Sequence, residues 1–246
     1  MSKLSIVTWN INSVRLRAPR VAAFLETHQP DVLCLQEIKC REAQFPTSVF
    51  TDLGYNHIQI AGQKGLHGVA TVSKLPLEPL ETPDFCNLGH ARIIASRIGG
   101  FDIHNIYLPA GGDEPDPEIN DKFAHKLEFL ARMEKAYAEY DPQSPLIVVG
   151  DLNIAPHEND VWSHKQLLKV VSHTPIEVEH LARVMKAHDW VDVMRRFVPD
   201  EEKLYTWWSY RAKDWAKADK GRRLDHIWVT PALAETPTAM EVIKQA

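Results

Sequence analysis

The stretch that decides the fold is "PLIVVGDLNIAP", residues 145–156. Residues 146–149 form a short apolar run bounded by Pro and Gly, which is typical of a strand buried on both faces. The run ends in the carboxylate Asp151, and Asn153 follows it before a turn closes on Pro156. A buried strand that carries an acid and an amide at its tip indicates a polar site at the edge of a sheet.

The same arrangement recurs elsewhere in the chain. The strand "LSIVTWN" ends in Asn10, the strand "DVLCLQE" ends in Glu37, and "RRLDHIWV" places Asp225 beside a late strand. Any one such residue is more often a turn former or a helix cap. Four of these strands in one chain weaken that alternative, so we expect the polar tips to converge on a shared edge.

Converging carboxylates repel each other and are costly to desolvate, so they need protons, bases or a cation between them. Oxygen ligands without cysteine or paired histidine favour Mg²⁺ or Mn²⁺, hard ions that often bridge protein carboxylates to substrate phosphate. The polar tips therefore predict a divalent metal site and phosphoryl chemistry.

The remaining patterns predict sheets with helices outside them. Further strand candidates are "NHIQIA", "GVATVSK", "ARIIASRI", "FDIHNIYL" and "LYTWWSY", and the third and fourth of these are joined by Gly99 and Gly100 in hairpin style. Apolar residues at helical spacing predict helices over residues 13–28, 118–140 and 175–196. Strands outnumber helices, and no internal repeat or low-complexity linker is present, so we predict a single α/β domain over residues 1–246.

Composition excludes several classes of protein. The chain has 246 residues, of which 44% are hydrophobic and 25% charged, as in a globular protein. It has no run of about 20 apolar residues and no signal-peptide pattern, so we expect a soluble protein that acts in the cytoplasm without a membrane partner. Three cysteines without metal-type spacing predict neither disulfides nor a zinc site. The phosphate loops GxGxxG and GxxxxGK[ST] are absent, which argues against a nucleotide-cofactor fold.

A basic loop with aromatic neighbours lies near the end of the chain, in "YRAKDWAKADKGRR", residues 210–223. Trp207 and Trp208 precede it, and Arg222 is one of its cations. Aromatic side chains among basic ones can stack on nucleic acid while the cations hold phosphates. An amphipathic loop with core tryptophans is an equal alternative. Tyr107, before a glycine-rich loop, is by itself more typical of a packing aromatic.

The order "TWNINSVR", "LCLQEIK", "GVATVSK", "NIYLPAGG", "VVGDLNIAP", "YTWWSYR" and "RRLDHIWV" resembles the exonuclease III family of abasic-site (AP) endonucleases. That family lies within the metal-dependent endonuclease/exonuclease/phosphatase superfamily, and the resemblance covers essentially the whole chain. It implies a four-layer α-β-β-α sandwich of two mostly antiparallel sheets flanked by helices, with the site at one edge of the sheets.

By matched position, the resemblance implies that Asn10 and Glu37 hold the metal, with Glu37 as the main carboxylate. It implies that Asp151 activates or positions the attacking water or protonates the leaving group. Asn153 then orients the phosphate, and Tyr107 donates a hydrogen bond to a phosphate oxygen.

The resemblance also implies a substrate pocket for a flipped-out abasic sugar. Trp207 and Leu224 match residues that line this pocket, and Arg222 stands among the neighbouring cations. Asp225 matches an acid that orients a catalytic histidine. A nucleotide without its base has little stacking to lose, so extruding it costs less than flipping an intact one.

The family pattern ends in a further strand with S-D-H-x-P, and no Ser-Asp-His occurs in residues 1–246. Two explanations are open: the sequence is a truncated form of a longer protein, which we favour, or it is a natural variant without that strand. If residues 1–246 are the whole protein, we expect impaired folding and slow hydrolysis.

The implied function is a nuclease of DNA repair that acts on double-stranded DNA. It would hydrolyse the phosphodiester 5′ to abasic sites and remove 3′ nucleotides or blocks, as a monomer. Two alternatives remain: a superfamily phosphatase acting on a phosphorylated small molecule or lipid, and a catalytically impaired module that binds damaged DNA.

Overall fold

A computed structural model describes residues 3–209 and 214–244. The described chain divides into two compact units. The first unit contains residues 3–107 and 145–151, and the second contains residues 108–144, 152–209 and 214–244. The prediction of a single domain over residues 1–246 stays a prediction.

The first unit holds one four-stranded sheet and four strands of a second sheet. The strands are β1 (Ile6–Asn10), β2 (Val32–Gln36), β3 (His57–Ala61), β4 (Val69–Ser73), β5 (Leu77–Pro79), β6 (Ile93–Ile98), β7 (Phe101–Tyr107) and β8 (Leu146–Asp151), and the helices are α1 (Ala18–His28) and α2 (Thr47–Thr51). The strand order is β1-β2-β4-β3 in the first sheet and β5-β6-β7-β8 within the second. Strands β1 and β2 of the first sheet pack on strands β8 and β7 of the second.

Two parallel strand pairs bring the predicted polar tips to comparable ends of the sheets. In the β1/β2 pair Asn10 lies opposite Gln36, so Glu37 follows directly beyond it. In the β7/β8 pair Tyr107 lies opposite Asp151. The other strand pairs of the first unit are antiparallel, which confirms the mostly antiparallel arrangement that was predicted.

The predicted hairpin at Gly99 and Gly100 is present between β6 and β7. Both glycines have positive φ, 61° and 87°, a backbone conformation that glycine adopts without a steric penalty. The hairpin places β7, with Tyr107 at its end, beside β8.

The second unit contains the longer helices, α3 (Asp121–Tyr137) and α5 (Pro175–Ala187), which pack against each other. Buried Phe123, Leu127 and Val171 form one of its apolar clusters, which has Ile176 at its margin. The elements are α3 (Asp121–Tyr137), α4 (His164–Leu167), α5 (Pro175–Ala187), β9 (Val191–Asp192), α6 (Val193–Phe197), β10 (Trp207–Trp208), α7 (Trp215–Ala218), β11 (Gly221–Arg222) and β12 (Asp225–Val229).

Two predicted elements of the second unit were wrong in extent. The helix expected over residues 175–196 ends at Ala187, because residues 188–189 form a turn in which Asp189 takes a positive φ of 49°, and the buried Trp190 then leads into β9. Helix α6 then starts anew with Asp192 as its N-cap. In "LYTWWSY" only Trp207 and Trp208 form a strand, paired with β11, and Tyr210 lies outside the described residues.

No helix among the described residues combines the length and the apolar character that crossing a membrane requires. The three cysteines, Cys34, Cys40 and Cys86, are buried.

Candidate active site

Three of the predicted polar tips meet in the first unit. The Asn10 side-chain Nδ2 donates to Glu37 Oε1 at 3.0 Å and to Asp151 Oδ2 at 2.8 Å. Pairing of β1 with β2 brings Asn10 and Glu37 together, although they are 27 positions apart, and packing of the two sheets adds Asp151, which is 141 positions from Asn10. The convergence that the sequence predicted is therefore present for Asn10, Glu37 and Asp151.

Glu37 is the most heavily contacted carboxylate of this cluster. Tyr107 donates its hydroxyl to Glu37 Oε1 at 2.7 Å, and Lys39 Nζ lies 2.7 Å from Glu37 Oε2. Burial by itself would raise the pKa of Glu37, but the hydrogen bonds from Asn10, Lys39 and Tyr107 together hold that pKa below its ordinary value. Glu37 is thus ionised at neutral pH and presents a negative charge.

Backbone conformation explains how the two acids are aimed. Glu37 has a positive φ of 51°, which turns its side chain out of the line of β2 immediately after that strand ends. Gly150, just before Asp151, has φ 146°, and a Cβ there would clash with the carbonyl oxygen of Ile106. Glycine at this position therefore allows β8 to lie against β7 at Asp151.

A buried arginine that sequence reasoning missed supports Tyr107. Arg92 is 6% exposed, its guanidinium lies 5.0 Å from the centre of the Tyr107 ring, and its Nη1 donates to the Tyr107 carbonyl at 3.2 Å. Burial raises the pKa of Tyr107 strongly, and the nearby Glu37 and Asp151 charges raise it further. Tyr107 consequently remains a protonated donor throughout the working pH range.

Replacing Tyr107 by Phe tests this donor. Because Glu37 then loses one of the bonds that lower its pKa, we expect the acid limb of the rate profile to move to higher pH. The sign follows from the pKa of Glu37: without the Tyr107 hydrogen bond this pKa is higher, so the carboxylate is protonated, and activity is lost, at a higher pH than in the wild type. We also expect kcat to fall by about 10- to 100-fold, because phenylalanine has no hydroxyl to donate a hydrogen bond at this site. A pH profile that does not move would contradict the assigned bond.

The residues of this cluster fit a divalent cation. The carboxylates of Glu37 and Asp151 both accept a hydrogen bond from the side-chain nitrogen of Asn10. Two negatively charged groups therefore face the same point, which is the arrangement that a bound cation requires. The available donors are carboxylate and amide oxygens, the ligands that hard divalent ions prefer. Glu37, Asn10 and Asp151 are the residues of the first unit that would surround such an ion.

Asn153 belongs to the second unit and is held tightly there. Its Nδ2 donates to the Leu108 carbonyl at 2.9 Å, and its own carbonyl accepts from Lys126 Nζ at 2.9 Å. It has a positive φ of 52°, a conformation that asparagine tolerates better than most residues. The backbone next to it is fixed by a bond from Leu152 N to the Leu224 carbonyl at 2.8 Å.

The predicted substrate residues Trp207 and Arg222 lie together in the second unit, opposite each other in the β10/β11 pair. The Arg222 guanidinium lies 5.7 Å from the centre of the Trp207 ring, and its Nη1 donates to Val171 O at 3.1 Å and to Ser172 Oγ at 2.7 Å. Burial lowers the pKa of Arg222. The stacked pair presents a half-buried aromatic face next to a positioned cation.

Leu224 and Asp225 share one hydrogen-bond acceptor. The backbone amides of both residues donate to Thr206 Oγ1 at 3.0 Å. Leu224 is 7% exposed, and Asp225 is half-buried. Thr206 immediately precedes Trp207, so the Thr206 hydroxyl connects the start of β12 to the segment that carries Trp207.

Three residues that hold these groups were not predicted. Arg92, Thr206 and Lys126 stand in apolar or unremarkable sequence surroundings, and their partners are distant in the chain. The only local signal is that of Lys126, a charged residue on the apolar face of α3 between Phe123 and Leu130.

The first unit thus combines two packed sheets with a cluster of two carboxylates and an amide at the strand tips, a set of groups that suits a hard divalent cation. A model of the endonuclease/exonuclease/phosphatase family matches residues 7–242. The chain belongs to this family, whose members depend on a divalent metal.

The chain is 31% identical to exodeoxyribonuclease III of Haemophilus influenzae, over 94% of this chain and 90% of that protein. It is 28% identical to the DNA repair nuclease APEX1 of Danio rerio, over 94% of this chain and 74% of that protein. The solved structure of an AP endonuclease from Archaeoglobus fulgidus superposes with a TM-score of 0.86 at 33% identity, and the match covers 95% of this chain and 89% of that one. The predicted family, the α/β fold of two large sheets with helices, and the class of DNA-repair nuclease are confirmed.

Proposed function

We propose that this protein hydrolyses the phosphodiester 5′ to abasic sites in double-stranded DNA and removes 3′ nucleotides or blocks, with Mg²⁺ or Mn²⁺ as its cofactor. The observation that carries the proposal is the cluster in which Asn10 donates hydrogen bonds to both Glu37 and Asp151, and Tyr107 donates its hydroxyl to Glu37. A cluster of this kind suits a phosphodiester, which brings negative charge that a cation and a hydroxyl donor can stabilise.

Each residue has a definite task in this reaction. The bound ion would polarise the phosphate and offset the charge that builds in the transition state. Glu37 and Asn10 hold that ion. Asp151 either activates or positions the attacking water or gives a proton to the leaving oxygen. Tyr107 donates a hydrogen bond to a phosphate oxygen, for which its raised pKa keeps the proton in place.

The residues of the second unit are proposed to bind the substrate. Asn153 orients the phosphate, and Asp225 matches by position an acid that orients a catalytic histidine in the family. Trp207 and Leu224 line the pocket for the abasic sugar, and Arg222 holds a DNA phosphate. The stack of Arg222 on Trp207 supports this assignment, since an aromatic face beside a cation suits nucleic acid. We further propose that the protein acts as a monomer in the cytoplasm.

The deciding experiment uses a duplex with one tetrahydrofuran abasic analogue, incubated with the protein and Mg²⁺, Mn²⁺ or EDTA. We expect a single cut 5′ to the analogue that leaves a 3′ hydroxyl, and no cut with EDTA. An undamaged duplex with a 3′ phosphate tests the activity on 3′ ends. Turnover of inositol phosphates without any cut of DNA would reject the proposal in favour of a phosphatase. Cleavage is measured as single-turnover rates.

A further inference from the structure

Beneath Asn153 lies an ion pair that is entirely buried. Lys126 in α3 and Glu177 in α5 both have 0% exposure, and Lys126 Nζ forms a short hydrogen bond with Glu177 Oε1. Buried ion pairs are weak contributors to stability, because desolvation offsets the attraction between the charges. A pair of this kind therefore calls for another explanation.

Lys126 uses its remaining donors on two loops of the second unit. Its Nζ donates to the carbonyl of Asn153 at 2.9 Å and to the carbonyl of Ala110 at 3.2 Å. The loop that contains Ala110 also packs against the aliphatic part of the Lys126 side chain, since a Cβ at Gly111 would lie 2.9 Å from Lys126 Cδ. The ammonium group thus joins the loop after β7 to the loop that carries Asn153.

Glu177 holds a third segment. It accepts from the Ser172 amide at 3.0 Å, from the Thr174 amide at 3.2 Å and from Thr174 Oγ1 at 2.5 Å. The bonds to Thr174 form the capping box of α5. The bond to Ser172 goes beyond capping, because Ser172 accepts from Ala155 N at 2.7 Å and from Arg222 Nη1 at 2.7 Å.

Asn153 needs such support. Its left-handed backbone is less stable than a right-handed one, and residues in such conformations persist where surrounding contacts impose them. The carbonyl bond from Lys126, together with the Leu152 and Ala155 amide bonds, fixes the peptides on both sides of it. A shift of this loop would move the amide side chain that is proposed to orient the phosphate.

We propose that the Lys126–Glu177 pair is a positioning device that fixes Asn153 through its backbone carbonyl. Neither Lys126 nor Glu177 is a catalytic residue. The assignment deepens the proposed function and rests on it for the role of Asn153.

The test is the double variant Lys126→Met with Glu177→Gln. Removing one partner alone would leave a buried unpaired charge, whereas the double change removes both charges and retains an acceptor for Ser172 and Thr174. Single-turnover cleavage of the tetrahydrofuran duplex should slow by about 10- to 100-fold, since a displacement of about 1 Å can cost that much. Mg²⁺ affinity should not change, because Glu37, Asn10 and Asp151 keep their side chains.

Two controls separate positioning from general loss of stability. Leu130→Ala truncates another fully buried side chain of α3, one turn further on, and breaks no bond to the Asn153 loop. It should lower Tm without changing the cleavage rate at a temperature well below Tm. In an Asn153→Ala background the double variant should slow cleavage by less than about threefold, because both changes remove the same function.

Hydrogen exchange provides a readout that does not need activity. The amides of Leu152 and Ala155 should exchange about tenfold faster or more in the double variant and remain protected in Leu130→Ala. Unchanged exchange in the double variant, or an effect fully additive with Asn153→Ala, would overturn the positioning role. If the wild-type protein does not cut abasic DNA, the proposed function fails, and the exchange measurement still decides whether the pair holds the loop.

Discussion

Replacing Glu37 by Gln is expected to abolish most of the activity while the protein remains folded. The glutamine side chain would keep an acceptor for Asn10 and Tyr107 but would lose the negative charge that the neighbouring donors stabilise. A metal that polarises a phosphoryl oxygen contributes several kcal/mol, so we expect the cleavage rate to fall by about 10³-fold and Mg²⁺ affinity to weaken in parallel.

Isothermal titration of Mg²⁺ and single-turnover cleavage of the tetrahydrofuran duplex check both parts of this expectation. Glu26→Gln, at an exposed position of α1 in the same unit, is the matched control and should behave as the wild type. Unchanged Mg²⁺ affinity in Glu37→Gln would remove Glu37 from the metal site. High Mg²⁺ concentration should restore part of the lost rate if weak binding is the main defect.

Replacing Asp151 by Asn is the second change with a large expected effect. Asp151 is 5% exposed and accepts from Asn10, so its carboxylate is buried next to the Glu37 charge. Neutralising it removes the proton carrier and relieves repulsion between two acids. We expect the cleavage rate to fall by about 10³-fold or more, while Tm stays equal to that of the wild type or rises.

The same variant distinguishes between the two tasks left open for Asp151. A duplex with sulfur in place of the 3′ bridging oxygen has a better leaving group that needs no proton. Restored cleavage of this substrate by Asp151→Asn would assign Asp151 to the leaving oxygen, and an equal defect on both substrates would assign it to the attacking water. Asp102→Asn, which breaks a surface ion pair with Arg97 in the same sheet, should leave both rates unchanged. Wild-type rates in Asp151→Asn would contradict either role.

These predictions draw on information of two kinds. Strands β1, β2, β7 and β8 were predicted from short apolar runs, because side-chain burial on a strand depends on local sequence. Asn10, Glu37 and Asp151 were placed together because each follows or ends such a run, and their contacts are confirmed. The break after Ala187 was missed, because apolar residues continue at helical spacing through the turn at residues 188–189.

The sequence by itself determined the architecture of sheets and helices, the hard oxygen ligands at the strand tips and the resemblance that led to the family. Only the tertiary structure decided which groups hold those side chains in place. Arg92 beneath Tyr107, Thr206 beneath Leu224 and Asp225, and Lys126 beneath Asn153 have partners many residues away in the chain. Strand patterns follow from neighbours a few positions apart, whereas a buried hydrogen bond exists only once two distant segments pack together, so no local pattern reveals it.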